Sequence, residues 1–160
     1  MRHAAWLCSV LLTVSTIGCG GQKIPATVLT ALEKSDSLEL YSLNPDHQTE
    51  KPENAFYDWE VLGSTKVEKA TTRAQLVDAL KKGAADNDGI AAACFNPRHA
   101  IRLVHEGKTI DLVICFECYQ VNVYIDDERQ EGFLTMDSPQ PTFNKVLKDA
   151  KVKLPPSPDE

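Results

Sequence analysis

Three cysteines and one histidine are the residues whose types and spacing could do chemistry in this chain. Cys94 and His99 open and close a six-residue run, and Cys115 and Cys118 form a Cys-x-x-Cys pair about twenty residues later. Thiols in this arrangement can form a disulfide, hold a metal ion or carry redox chemistry. They can also be buried and unreactive. The elements around them therefore decide between four interpretations.

A structural disulfide is the first interpretation, because compartments outside the cytoplasmic membrane are oxidising. Three thiols allow three single pairings and leave one cysteine free. Pairing Cys94 with either Cys115 or Cys118 would join neighbouring strands across a loop of about twenty residues, worth roughly 3 kcal/mol in the chain-entropy account. We predict one disulfide within this set, with its partners left open.

Zinc binding is the second interpretation. Cys94, His99, Cys115 and Cys118 supply the three sulfurs and one nitrogen that a tetrahedral zinc site accepts. Two features weigh against it. The bulky pair Phe116-Glu117 favours continued strand over a tight turn, and His99 begins a strand, where we expect it hydrogen-bonded at the surface.

Thiol redox chemistry by Cys115 and Cys118 is the third interpretation. Redox pairs of the thioredoxin type place the first cysteine at a helix N-terminus, where the helix dipole lowers its pKa. Here strand patterns precede and follow the pair, and Glu117 between the two cysteines would raise a thiol pKa. Unpaired, inert cysteines are the fourth interpretation.

The N-terminus has the pattern of an export signal. Met1-Arg2-His3 is followed by an uncharged run over residues 4–17 and then by Gly18-Cys19-Gly20. This run is shorter than the ~20 apolar residues that a spanning helix needs. Residues 16–19 resemble the bacterial lipobox, which implies a signal peptide over 1–18 and a lipidated, palmitate-bearing Cys19. Gly20, where some sorting signals have Asp, favours the outer membrane.

Composition limits the class of partner. The 160 residues contain 17 Lys and Arg against 23 Asp and Glu, a net charge of −6. This acidic balance argues against nucleic acid, because binding to phosphates needs clustered cations. The sequence also lacks the motifs of serine hydrolases, phosphate-binding loops and zinc proteases. We therefore expect a non-catalytic protein.

Hydrophobic periodicity predicts a single α+β domain over residues 25–154, after a tether at 19–24 and before a proline-rich tail at 155–160. The predicted order is helix, two strands, helix, four or five strands, helix. Short strand connections require antiparallel pairing, so we expect one twisted sheet of about five to seven strands with helices mainly on one face. The predicted elements include a capping box at Thr72-Arg73-Ala74-Gln75, a helix end at Gly83, and strands over 90–95 and 132–136.

Several charged side chains fall in the strand-rich half. Arg98 and Arg102 flank His99 and could bind an anion, or pair with Glu117 or Asp111 across the sheet. The run Asp126-Asp127-Glu128 lacks the spaced ligands of a calcium loop, and we interpret it as a solvated turn.

The cysteine region carries a family resemblance. The stretch Cys94-Phe95-Asn96-Pro97-Arg98-His99, followed by Ile114-Cys115-Phe116-Glu117-Cys118, resembles a group of bacterial lipoproteins and secreted proteins that has no assigned activity. The resemblance covers residues 90–124 and implies no mechanism. We therefore expect a lipid-anchored cell-envelope protein with a binding or structural role, whose protein or small-molecule partner is unknown. The alternative is a metal-binding or thiol-redox protein that uses Cys94, His99, Cys115 and Cys118.

Overall fold

The computed structural model describes residues 23–46 and 48–157. The predicted signal peptide, Cys19 and the end of the tail lie outside the described residues. Within them, helices and strands have the following bounds: α1 Ala26–Lys34, β1 Ser37–Leu43, β2 Ala55–Phe56, β3 Trp59–Lys66, α2 Ala70–Asp86, β4 His99–His105, β5 Lys108–Cys115, β6 Gln120–Ile125, β7 Glu128–Leu134 and α3 Gln140–Asp149. Among the described helices, none combines the length and the apolar character needed to cross a membrane.

Seven antiparallel strands form one sheet in the order β2-β3-β1-β4-β5-β6-β7. The sheet curls into a half-barrel, and as a result the β2–β3 turn touches β5 and β6, although β1 and β4 lie between them in the strand order. Tyr57 in that turn donates a hydrogen bond to Asp111 (2.9 Å) and stacks on Tyr124, with ring centroids 3.8 Å apart. The predicted α+β class, strand number and antiparallel pairing are confirmed.

The main core lies between one face of the sheet and all three helices. On this helix face, alternate strand residues such as Leu38 and Leu40, or Ile101 and Leu103, are buried against the helices. Each helix supplies a short apolar stripe, as expected for amphipathic segments. The stripe residues are Val28, Ala31 and Leu32 of α1, Leu76, Val77 and Leu80 of α2, and Phe143 and Leu147 of α3.

Two tight turns in the second half match the sequence interpretation. Glu106 and Gly107 join β4 to β5 with φ of 50° and 76°, and Asp126 and Asp127 join β6 to β7 with φ of 50° and 66°. Such left-handed pairs suit two-residue hairpins. The strand predicted at 132–136 is instead Glu128–Leu134, because the β6–β7 hairpin begins pairing directly after its turn.

The start of α2 differs from the prediction. The helix begins at Ala70, with Lys69 as the N-cap residue and no side-chain cap, so Thr72 lies inside the first turn and the capping box is wrong. Arg73 fixes this end instead. Its guanidinium donates from Nε to the Val67 carbonyl (2.8 Å) and from Nη1 to the Ser35 carbonyl (3.0 Å).

Gly83 does not end α2, which continues to Asp86. Glycine is required there by a close approach. A Cβ at this position would lie 2.5 Å from Thr135 Oγ1 and 2.6 Å from Pro139 Cγ, and the Met136 amide donates to the Gly83 carbonyl (2.9 Å). Gly83 therefore lets the segment before α3 pack against the helix.

Candidate functional site

The Cys115–Cys118 pair lies in the tight turn that joins β5 to β6. Cys115 is the last residue of β5 and pairs with Gln120, so residues 116–119 form the turn, and Tyr119 takes a left-handed φ of 59°. The expectation of continued strand at Phe116-Glu117 is thus wrong. The turn brings the two cysteines to a Cα–Cα distance of 5.1 Å, and they are joined by a disulfide.

Cys94 reaches the same place on an irregular segment. Residues 90–95 form no strand, contrary to the prediction, because their backbone groups bond to the β5–β6 turn and to side chains rather than to a neighbouring strand. The Ala92 amide donates to the Cys118 carbonyl (3.0 Å). Gln120 Nε2 donates to the Ala92 carbonyl (2.6 Å) and lies 3.3 Å from the Cys94 carbonyl.

Asn87 holds the beginning of this segment. Its Oδ1 accepts from the amides of Gly89 (2.8 Å) and Ile90 (3.0 Å), and its Nδ2 donates to the Ile90 carbonyl (2.9 Å). Asparagine is well suited to such local side-chain to backbone bonds. Asn87 and Gln120 therefore fix the path that carries Cys94 to the disulfide, and no sequence motif marks either residue.

The three sulfurs lie together. Cys94 Sγ is 3.7 Å from Cys118 Sγ. Cys115 and Cys118 are 1% and 0% exposed, whereas Cys94 is exposed and has a free thiol. The structure therefore links Cys115 to Cys118 rather than Cys94 to either, although Cys94 is within van der Waals reach of Cys118.

The predicted zinc set is not brought together. Across residues 23–46 and 48–157, no group of three or more His, Cys, Asp or Glu side chains is placed to hold a metal ion. Contrary to the prediction, His99 does not lie at the surface but is fully buried on the helix face. It follows the alternation of His99, Ile101 and Leu103, which turns all three toward the core.

His99 is held by one polar contact and two rings. Its Nε2 donates to Asn144 Oδ1 (2.8 Å), and its ring lies 5.3 Å from that of Phe116 and 5.8 Å from that of Phe143. Burial lowers the pKa of His99 to about 4, opposed by the Asn144 hydrogen bond and aided by the charge of Arg98. His99 is therefore a neutral core residue at pH 7.

The hydroxyl of Ser42 is a second buried polar group, close to His99. Ser42 faces His99 in the β1–β4 register. Its Oγ and His99 Nδ1 are both buried, and neither has a hydrogen-bond partner among the described residues. Sequence offered no signal for Ser42 or Asn144, since each becomes relevant only through packing between distant elements.

Both predicted arginine pairings are found. Arg98 forms an ion pair with Glu117 beside the cysteine turn, and its Nε donates to the Pro156 carbonyl (2.8 Å), which fixes the start of the predicted tail against the domain. Arg102 binds Asp111 in a bidentate pair, with Nε–Oδ1 and Nη2–Oδ2 distances of 2.8 and 2.6 Å. The two arginines that could have bound an anion are therefore already paired with carboxylates of the protein, Glu117 and Asp111.

The Arg102–Asp111 pair lies on the sheet face opposite the helices, which we call the aromatic face. Arg102 lies 4.9 Å above the Phe56 ring, close enough for a cation–π contact. Burial and then the Asp111 carboxylate raise the pKa of Tyr57, so its phenol stays protonated and donates to Asp111. The aromatic residues of this face are Tyr41, Phe56, Tyr57, Trp59, Phe95 and Tyr124.

Comparisons with known proteins give no match to a family model, to a curated protein or to a solved structure.

Proposed function

We propose that this protein is an exported, lipid-anchored module of the bacterial cell envelope. Its anchor is a lipid on Cys19, and its domain serves a binding or structural role. A diacyl or triacyl anchor makes attachment effectively permanent, at ~0.8 kcal/mol per buried CH₂.

The observation that carries the proposal is the Cys115–Cys118 disulfide. Both sulfurs are buried in a tight turn, and disulfides of this kind persist in oxidising compartments and are rare in the bacterial cytosol. A disulfide in the domain, together with an N-terminus that resembles a signal peptide, supports export. Gly20, in the position where some sorting signals have Asp, favours an anchor in the outer membrane.

The anchor would set the orientation of the domain. Six residues, 20–25, separate Cys19 from the start of α1 at Ala26 and span at most about 20–25 Å when fully extended. Ala26 and Thr27 line one surface cleft together with Glu106 and Lys108, at the β4–β5 turn. That end of β5 would therefore lie near the membrane, and Cys115, at the other end of β5, would point away from it.

Lipidation can be tested by metabolic labelling with palmitate. Cys19→Ala should abolish incorporation of the label and release the protein from the membrane fraction, because it removes the only acceptor thiol that we propose. Cys8→Ala is the matched control, since it removes a thiol of the predicted signal peptide, and it should label like wild type. Equal labelling of Cys19→Ala and wild type would contradict the proposal.

A further inference from the structure

Beyond anchoring, and independently of it, the structure assigns a chemical role to the three sulfurs at the end of β5. We infer that Cys94, Cys115 and Cys118 form a thiol–disulfide exchange site, in which Cys94 is the route between solution thiols and the buried disulfide. The inference depends on two observations. The Cys94 and Cys118 sulfurs are 3.7 Å apart, and Cys94 is exposed whereas the disulfide sulfurs are buried.

The internal step is an isomerisation that needs no external oxidant. The Cys94 thiolate attacks Cys118 Sγ and forms the Cys94–Cys118 bond, while the Cys115–Cys118 bond breaks and its electron pair leaves on Cys115. The Cys115 thiolate then takes up a proton, which balances the one that Cys94 lost. The chain keeps one disulfide and one thiol throughout, but the free thiol moves from an exposed position to a buried one.

The surroundings favour Cys115 as the leaving group. The Cys118 amide lies 3.1 Å from Cys115 Sγ and donates to it, so it stabilises negative charge as the bond breaks. Once Cys115 is protonated, its thiol can donate to the Asn96 carbonyl, which lies 3.4 Å away. The Asn96 amide, 3.3 Å from Cys118 Sγ, provides the same support when Cys118 is the leaving sulfur.

Exposure determines which sulfur an external partner can reach. A thiolate from solution cannot attack Cys115 or Cys118 directly, but in the Cys94–Cys118 isomer it can attack Cys94. This step forms a mixed disulfide at Cys94 and releases the Cys118 thiolate. A second thiol then frees Cys94 and leaves as the oxidised dimer, so two external thiols are oxidised and one protein disulfide is reduced. The partners of this site are therefore small or protein thiols, and disulfides in the reverse direction.

Reduced glutathione serves as the probe for this route. The full chain is incubated with it, quenched with acid, alkylated and digested with trypsin. Trypsin cleaves after Arg98 and Lys108, so Cys94 lies on one peptide and the Cys115–Cys118 pair on another. Reduction of the Cys115–Cys118 bond should be roughly tenfold or more slower in Cys94→Ser than in wild type. Ala93→Ser, which adds a hydroxyl beside the intact thiol, should match wild type. Equal reduction rates in Cys94→Ser and wild type would overturn the inference.

A second variant tests the contact itself. In Cys115→Ser the Cys118 sulfur is freed opposite Cys94, and oxidation with diamide should join the two tryptic peptides through a Cys94–Cys118 bond. Two thiols that remain separately alkylated after diamide would show that these sulfurs do not meet, and the exchange site would be excluded.

Discussion

Replacing Arg102 by leucine should lower the free energy of unfolding by about 3 kcal/mol, the lower end of the cost of leaving a buried charge without its partner. The reason is the carboxylate that remains. Asp111 is 1% exposed and has three donors, the Nε and Nη2 atoms of Arg102 and the Tyr57 hydroxyl. Without the guanidinium, this charge stays buried with a single neutral donor.

Replacing the acidic partner, Asp111, should lower the free energy of unfolding by less. Arg102 is 39% exposed, so in Asp111→Leu its guanidinium can be hydrated, and we expect a loss of about 1–2 kcal/mol. The double variant, Arg102→Leu with Asp111→Leu, should be more stable than Arg102→Leu alone, because it also removes the buried Asp111 carboxylate. Tyr57→Phe keeps the ring stacked on Tyr124 and should lose about 1 kcal/mol.

Urea unfolding at pH 7 measures all four variants. A cost of Arg102→Leu no greater than that of Asp111→Leu would contradict the argument. A double variant no more stable than Arg102→Leu would contradict it as well.

His99 should make the domain less stable in mild acid. Its pKa is about 4 in the folded protein, whereas an exposed imidazole has a pKa of 6.5, and this difference corresponds to about 3 kcal/mol. Between these two values the unfolded chain binds a proton that the folded protein excludes. The contribution of His99 is therefore complete above pH 6.5 and is lost progressively as the pH falls toward 4.

The variant His99→Phe isolates this effect. Phenylalanine keeps an aromatic ring between Phe116 and Phe143 and cannot be protonated, and Asn144, which is half-buried, can turn its amide toward water. Carboxylates also titrate in this range, so the quantity to measure is the stability of wild type minus that of His99→Phe at each pH. This difference should fall by about 3 kcal/mol from pH 7 to pH 4. A difference that does not change with pH would show that His99 is protonated equally well in both states.

Sequence periodicity was sufficient to predict the sheet, but it did not predict the packing between distant elements. The alternation along β1 and β5 predicted strands because each strand buries one face against the helices, and the pairing of Arg102 with Asp111 followed from their facing positions. The apolar run at 90–95 gave the wrong prediction. Its composition suits a strand, but its hydrogen bonds go to Gln120 and to the cysteine turn.

The errors at Gly83 and His99 have the same origin. A glycine near the expected end of a helix resembles a terminator, and only the approach of Pro139 shows that it makes room for another segment. His99 was expected at the surface because it begins a strand, although its alternation with Ile101 and Leu103 already placed it on the buried face. The pattern outweighed the polarity of the ring there: Nε2 donates to Asn144 Oδ1, while Nδ1 stays buried without a partner among the described residues.

Peptide mass spectrometry of the protein extracted from membranes examines both the anchor and the disulfide in one experiment. We expect the mature chain to begin at Cys19, this residue to carry the mass of its acyl chains, and Cys115 and Cys118 to be linked. A chain that begins elsewhere, or that contains an unmodified Cys19, would contradict lipid anchoring.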